Sequence, residues 1–154
     1  MAQTLYTAST GAAVALVATT AKSVLSVTAP AQFGVDLRKI RLAFDGVTAT
    51  DKGVLVEICS STFATAGTTT AGTVNQVTGR TITAGFTTAY NYTAEPTVLT
   101  VIESFLISPY NGTYVYDYPL GDSPDSAVSN GFVIRCTAPT SAVNVRATMI
   151  FGRC

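Results

Sequence analysis

The acidic side chains are the first candidates for chemistry in this sequence. Glu57 and Glu103 lie in apolar segments, and glycosidases use such a pair of carboxylates, although a charge facing solvent on a strand also explains both positions. Asp117, Asp122 and Asp125 offer oxygen ligands of the kind that calcium accepts. Their spacing matches no calcium-binding loop, and Asp-Ser-Pro-Asp is ordinary turn chemistry. We therefore expect neither a metal ion nor a cofactor.

The sequence contains no histidine, which removes Ser-His-Asp catalysis, Cys-His catalysis and histidine metal sites together. It also has no glycine-rich loop of the type that binds phosphate. The three cysteines are odd in number and far apart, so they indicate neither a disulfide framework nor a zinc site. We expect Cys59 and Cys136 to be buried free thiols and Cys154 to be an exposed one. The protein is predicted not to be an enzyme.

Charge is scarce in this chain of 154 residues, because only 12% of them are charged and the net charge is zero. A soluble domain has about 25% charged residues, so part of the surface is predicted to be covered by other copies or by a docking partner, unless a threonine-rich exterior explains the low charge. Zero net charge argues against a nucleic-acid partner. Basic residues concentrate near both ends of the chain, and Arg38, Lys39 and Arg41 are candidates for orienting the protein on an acidic surface.

The first 21 residues contain no Lys or Arg, and their apolar run AAVALVA is too short to cross a membrane. We therefore expect no secretory signal, no membrane partner, and synthesis and folding in a cytoplasm.

Apolar residues alternate with period two in several short segments, and a helical period is sustained nowhere. The segment 35–44 changes parity at Arg38–Lys39, which predicts a β-bulge. In 98–107 both faces are apolar, which predicts a strand that enters the core. Tyr114, Tyr116 and Tyr118 share one face. The sequence predicts an all-β sandwich or barrel built from strands near 23–28, 35–44, 54–60, 98–107, 113–118, 132–137 and 142–151.

Two segments lack a clear strand pattern. Residues 1–21 are interpreted as an N-terminal arm that precedes a domain of residues 22–154. Residues 68–91 are interpreted as a long polar excursion, which continues as a surface loop to Glu95. Tyr90 and Tyr92 lie on this loop and are candidates for contact with a neighbouring molecule, since tyrosine is favoured at interfaces. Asn111-Gly112 predicts a hairpin turn.

An ordered set of stretches resembles the small structural proteins of tailed-bacteriophage virions. The stretches are TTAKSVLSVTAPAQFGVDLRKIRLAFDGVTATDKGVLVEI, TAEPT, ISPYNGTYVYDYPLGD and GFVIRCTAPTSAVNVRATMIF, which together cover about residues 19–151. The resemblance implies a single jelly-roll-like β-sandwich on the capsid surface of the virion. It carries no catalytic residues onto this chain.

The function that the resemblance implies is that of a capsid decoration, or cement, protein whose partner is the major capsid protein. We expect a homotrimer, with the N-terminal arm bridging neighbouring subunits by strand addition. A tail or fibre component that binds a glycan or the host is the alternative, because tyrosine and asparagine in long loops serve that role too. A small carbohydrate hydrolase that uses Glu57 and Glu103 is a third hypothesis.

Overall fold

The computed structural model describes residues 4–48, 52–110 and 112–154, and its regular elements in these ranges are all β-strands. The predicted all-β fold is confirmed, whereas Asn111 of the predicted hairpin turn lies outside the described residues. The strands are β1 (Leu5–Ser9), β2 (Val14–Leu16), β3 (Ala21–Thr28), β4 (Val35–Phe44), β5 (Val54–Ser61), β6 (Thr68–Ala71), β7 (Val74–Thr78), β8 (Thr87–Ala94), β9 (Leu99–Ile107), β10 (Thr113–Asp117), β11 (Gly131–Thr137) and β12 (Val143–Arg153).

Two antiparallel sheets pack face to face as a β-sandwich. Sheet I has the spatial order β10, β4, β12, β1, β7, and β2 also pairs with β12. Sheet II has the order β6, β8, β3, β11, β5, β9. The chain passes repeatedly from one sheet to the other, because β1, β4, β10 and β12 belong to sheet I while β3, β5, β9 and β11 belong to sheet II.

The core lies between the sheets and follows the predicted alternation. On β12 the odd-numbered residues from Val143 to Phe151 are buried and the even-numbered ones are half-buried or exposed. The predicted bulge in β4 is confirmed at Arg38, since Phe151 faces Leu37 and Ile150 faces Lys39, which leaves Arg38 as the extra residue. The bulge restores one inward face to β4, which consists of Val35, Leu37, Ile40, Leu42 and Phe44.

The inner face of β10 carries the predicted row of tyrosines. The ring centroids of Tyr114 and Tyr116 are 6.4 Å apart, and those of Tyr116 and Tyr118 are 4.9 Å apart. Phe105 of β9 extends the row, with its ring 5.0 Å from that of Tyr114. These contacts join the edge strand of sheet I to the edge strand of sheet II.

The N-terminal segment is part of the sandwich, which corrects the predicted arm of residues 1–21 and the domain start at residue 22. β1 pairs with β12 and β7, and β2 pairs with β12. Tyr6, Ala8, Val14 and Leu16 are at most 1% exposed and belong to the core. The alternation was hidden in the sequence because small alanines and threonines fill most of the other positions in this segment.

The segment 68–91 also forms strands, which corrects its interpretation as a loop. β6 pairs with β8 at the edge of sheet II, while β7 pairs with β1 at the edge of sheet I. Their side chains are mostly exposed, so no apolar alternation marks them in the sequence. The return to β8 brings Phe86 into the core, where its ring lies 4.9 Å from that of Phe151.

Arg153 fixes the chain at this end of the core. Its guanidinium lies 4.2 Å from the ring centroid of Phe33 and 5.8 Å from that of Tyr6. It also donates hydrogen bonds to the carbonyl oxygens of Thr83 and Ala84. The stacking of the Arg153 guanidinium on the two rings and its two hydrogen bonds together hold the segment that leads from β7 to β8. In the part of the chain that the structure describes, no helix is long and apolar enough to span a membrane.

Candidate docking surface

Strand β9 is an edge strand that exposes apolar side chains, which corrects the prediction that 98–107 enters the core. Within the described residues β9 pairs with β5 alone. Val98, Val101, Ile102 and Leu106 are 58%, 43%, 43% and 71% exposed, and we call these four side chains the β9 patch. Both faces of 98–107 are apolar because one packs on the core through Phe105 and Ile107 while the other faces solvent.

Two features make the β9 edge irregular. The register with β5 shifts between Ile58 and Cys59, which leaves Ile102 as an extra residue on β9. Glu103 pairs with Ile58, an inward-facing residue, and its carboxylate accepts a hydrogen bond of 3.4 Å from the Tyr118 hydroxyl. Bulges and inward charges are devices that discourage uncontrolled strand pairing. The edge therefore favours contacts through its side chains over a continuous added strand.

Lys39 and Arg41, two of the predicted basic docking residues, lie on the outer face of sheet I, and Arg38 is the bulge residue beside them. Arg38 forms an ion pair of 2.5 Å with Asp36, and Lys39 forms one of 2.6 Å with Asp117. Arg41 is exposed and has no ion pair with another described residue. The charge of Arg41 is therefore more available to a partner than the charges of Arg38 and Lys39, which the two aspartates neutralise.

Arg146 belongs to this surface although the sequence did not single it out. On β12 it pairs with Ala43 of β4, next to the pair formed by Thr148 and Arg41. The two arginines are thus diagonal neighbours on one face of the sheet, and Arg146 is also exposed without an ion pair to any described residue. The period-two alternation of 142–151 already placed Arg146 outward, but only strand pairing brings it to Arg41.

Tyr90 and Tyr92 lie on a strand and not on a surface loop, which corrects their predicted location. Both belong to β8, and the left-handed backbone of Asn91, with a φ of 53°, separates them. Tyr90 packs against the core. Tyr92 is 3% exposed and donates a hydrogen bond of 2.7 Å to the Ser26 hydroxyl, and burial raises its pKa.

The segment after β8 covers part of the outer face of sheet II. The Glu95 carboxylate accepts hydrogen bonds from the backbone N–H and the hydroxyl of Ser23, the former at 2.8 Å. Thr65 and Thr97 are joined by two hydrogen bonds, one of 3.0 Å to the Thr65 carbonyl and one of 2.9 Å to the Thr97 hydroxyl. Sheet II is therefore partly covered by its own chain, whereas the outer face of sheet I carries the exposed side chains of Arg41 and Arg146.

The two candidate catalytic carboxylates do not face each other. Glu57 pairs with Ser104 and Glu103 pairs with Ile58, so the two side chains leave β5 and β9 on opposite faces of sheet II. Glu57 forms an ion pair of 2.8 Å with Arg135, which raises the pKa of the guanidinium. This geometry does not allow Glu57 and Glu103 to flank one glycosidic bond.

The remaining sequence candidates can also be placed. Among the described residues, no group of three or more His, Cys, Asp or Glu side chains could hold a metal ion, and Asp117 is engaged by Lys39. The cysteine predictions are confirmed, because Cys59 and Cys136 are buried free thiols and Cys154 is an exposed one. Burial raises the pKa of the Cys59 thiol to about 11.

Comparisons with known proteins gave no match of any kind. No family model matches the chain, and neither a curated protein nor a solved structure does.

Proposed function

We propose that the chain is a structural protein of a bacteriophage virion, a capsid decoration protein that binds the major capsid protein at the particle surface. It performs no chemistry there. It acts as a homotrimer that adds non-covalent contacts between neighbouring capsid subunits. The β9 patch is the observation that carries this proposal, and the resemblance of the sequence to small virion proteins supports the choice of partner.

The β9 patch has the properties of a surface that a partner covers. Val101, Ile102 and Leu106 of β9 and Val98 just before it are large apolar side chains that are exposed in a protein with only 12% charged residues. Burial of such a side chain contributes about 1.5–3 kcal/mol when it is complete, so a partner that covers the half-exposed patch gains a few kcal/mol per copy. Many copies on one shell add their weak contacts, and binding only to the assembled shell stabilises it by mass action.

The strand order supports a jelly-roll assignment. When β2, β6, β7 and β8 are set aside, eight strands remain in chain order. Sheet I then contains the first, eighth, third and sixth of them, and sheet II contains the second, seventh, fourth and fifth. Eight strands wound in this way form a jelly roll, which occurs in viral capsid domains and also in lectins. The fold therefore fits a capsid position and does not distinguish it from a glycan-binding tail component.

The exposed arginines have a separate role in this proposal. Arg41 and Arg146 lie on the outer face of sheet I, away from the β9 patch, and attract an acidic capsid surface over a distance of about 8–10 Å in physiological salt. Electrostatic attraction of this kind changes the rate of association more than the final affinity. The N-terminal strands take no part in bridging because they belong to the core.

Cosedimentation with undecorated particles of the phage that carries the gene tests the proposal. Val101→Lys and Ile102→Lys place charges in the β9 patch, while Val17→Lys places the same charge at a residue that is 63% exposed elsewhere. We expect the two patch variants to lose binding at unchanged thermal stability and the control to bind like the wild type. Undiminished binding by both patch variants would contradict the role of the patch, and a wild-type protein found only on tails would replace the capsid assignment.

A further inference from the structure

Leu120 is the most prominent apolar side chain that the established fold leaves unexplained. It is 91% exposed at the tip of the segment between β10 and β11. The tip is a tight turn in which the Asp122 N–H donates a hydrogen bond of 3.0 Å to the Pro119 carbonyl. Gly121 has a φ of 96°, the conformation that a type II turn requires at its third residue. A Cβ at Gly121 would meet no atom within 4 Å, so the tip stands clear of the rest of the protein.

The turn is held firmly on both sides. Before it, the Tyr118 N–H donates a hydrogen bond of 2.9 Å to the Arg38 carbonyl, and the Tyr118 ring is buried. After it, the Pro124 carbonyl accepts a hydrogen bond of 2.9 Å from the Leu37 N–H, and the Ser126 N–H donates one of 2.8 Å to Val35. Leu120 is thus presented on a short turn between two anchored ends. Such preorganisation lowers the entropy that binding costs.

A groove on the outer face of sheet I offers a matching surface. It has a volume of about 380 Å³, and Leu5, Val77 and Ile150 provide apolar lining from three adjacent strands. Val77 is 51% exposed there. Lys39 and Asp117 lie at the same groove and form its ion pair. An apolar groove of this size suits an exposed apolar side chain such as that of Leu120.

We propose that the groove of one copy receives Leu120 of a second copy, and that this contact builds the homotrimer of the proposed function, on which this inference rests. Tyr118 lines the groove and immediately precedes the turn, so every copy carries the projecting side chain and its receptor at the same end of sheet I. Closed symmetry then fills every groove and covers every Leu120. The chain has zero net charge, so no overall repulsion between copies opposes this association.

Sedimentation velocity of the full chain in reducing buffer, over a concentration series, tests this contact. Leu120→Ser removes the projecting side chain, Val77→Asp blocks the groove, and Val47→Ser is the control at a side chain that is 87% exposed in another loop. We expect Leu120→Ser and Val77→Asp to weaken each of the three contacts of the trimer roughly ten- to hundredfold, as expected for the loss of one buried leucine per contact. The control should associate like the wild type, and thermal melting should show all three variants folded.

Three results would overturn the inference: a wild-type monomer at every concentration, a trimer that Leu120→Ser leaves intact, or a Leu120-dependent dimer, which would refute the three-fold closure. A particle-binding assay distinguishes a failure of this contact from a failure of the proposed function. A monomeric Leu120→Ser protein that still cosediments with capsids, more weakly through lost multivalency, leaves the decoration role standing. A trimer that depends on Leu120 but never binds a capsid leaves the contact standing and removes the role.

Discussion

Leu16→Ala is the sharpest test of how the N-terminal segment is used. Leu16 is 1% exposed in β2, which pairs with β12, and it belongs to the core. Truncation of a buried leucine removes its transfer free energy and leaves a cavity, which together cost about 2–5 kcal/mol. A chain of 154 residues loses about 2–4 °C in Tm for each kcal/mol, so the melting temperature should fall by roughly 4–20 °C.

The neighbouring residue provides a matched control. Val17 is 63% exposed, and Val17→Ala should change stability by no more than about 0.5 kcal/mol. Urea unfolding followed by circular dichroism measures both variants against the wild type. If Leu16→Ala melted like Val17→Ala, residues 1–21 would be an arm outside the core and the fold described for them would be wrong. Deletion of residues 2–18, which removes both N-terminal strands, should for the same reason leave the chain unfolded.

The remaining predictions concern the reactivity of the thiols, stability at alkaline pH and the contribution of Arg153 to stability. Cys59 and Cys136 should react slowly with a thiol reagent and Cys154 quickly, and equal rates for all three would contradict their placement. Because burial raises the pKa of Cys59 from 9.0 to about 11, the unfolded chain loses that proton first, so stability should fall as pH rises from 9 to 11. Cys59→Ala should flatten this fall, and an unchanged slope in urea unfolding would refute it. Arg153→Met should lower the free energy of unfolding by about 1–3 kcal/mol, because two carbonyl oxygens lose a charged donor. Arg146→Met should change it by less than about 0.5 kcal/mol, since Arg146 is exposed, and equal losses in the two variants would count against the account of Arg153.

The strands with large apolar side chains could be predicted from the sequence. The alternation from Val143 to Phe151 placed β12 and its inward face, and the change of parity at Arg38 predicted the bulge that the register with β12 confirms. These features are local, because period two fixes which side chains share a face. The same holds for the tyrosines of β10, whose rings follow one another along the inner face.

The errors arose where burial depends on distant strands. Tyr6 and Leu16 are in the core because β12 lies beside them, which the alanine-rich segment does not reveal. The apolar pattern of 98–107 fits a central strand as well as an edge strand, and only the strand order places it at the edge of sheet II. Tyr92 is buried because Asn91 reverses the side-chain alternation, a backbone feature that the sequence pattern does not predict.

The candidate surfaces could be predicted only in part. Arg41 was predicted to be a docking residue, which stays a prediction, and it is exposed on the outer face of sheet I, while Arg146 became visible only through its pairing next to Arg41. Leu120 gave no signal in the sequence, since a leucine beside Pro119 and Gly121 is as consistent with a buried turn as with a projecting one. Its importance comes from its exposure and from the hydrogen bonds that hold the turn.

The copy number of the chain in purified virions tests the central claim most directly. Quantitative mass spectrometry of intact particles, with peptides of the major capsid protein as the internal reference, gives this number without any variant. The account predicts copies in constant proportion to the major capsid protein, which fall to none when particles assemble without the gene and leave shells that break at a lower temperature. A copy number fixed by the tail, or no protein on the particle at all, would contradict it.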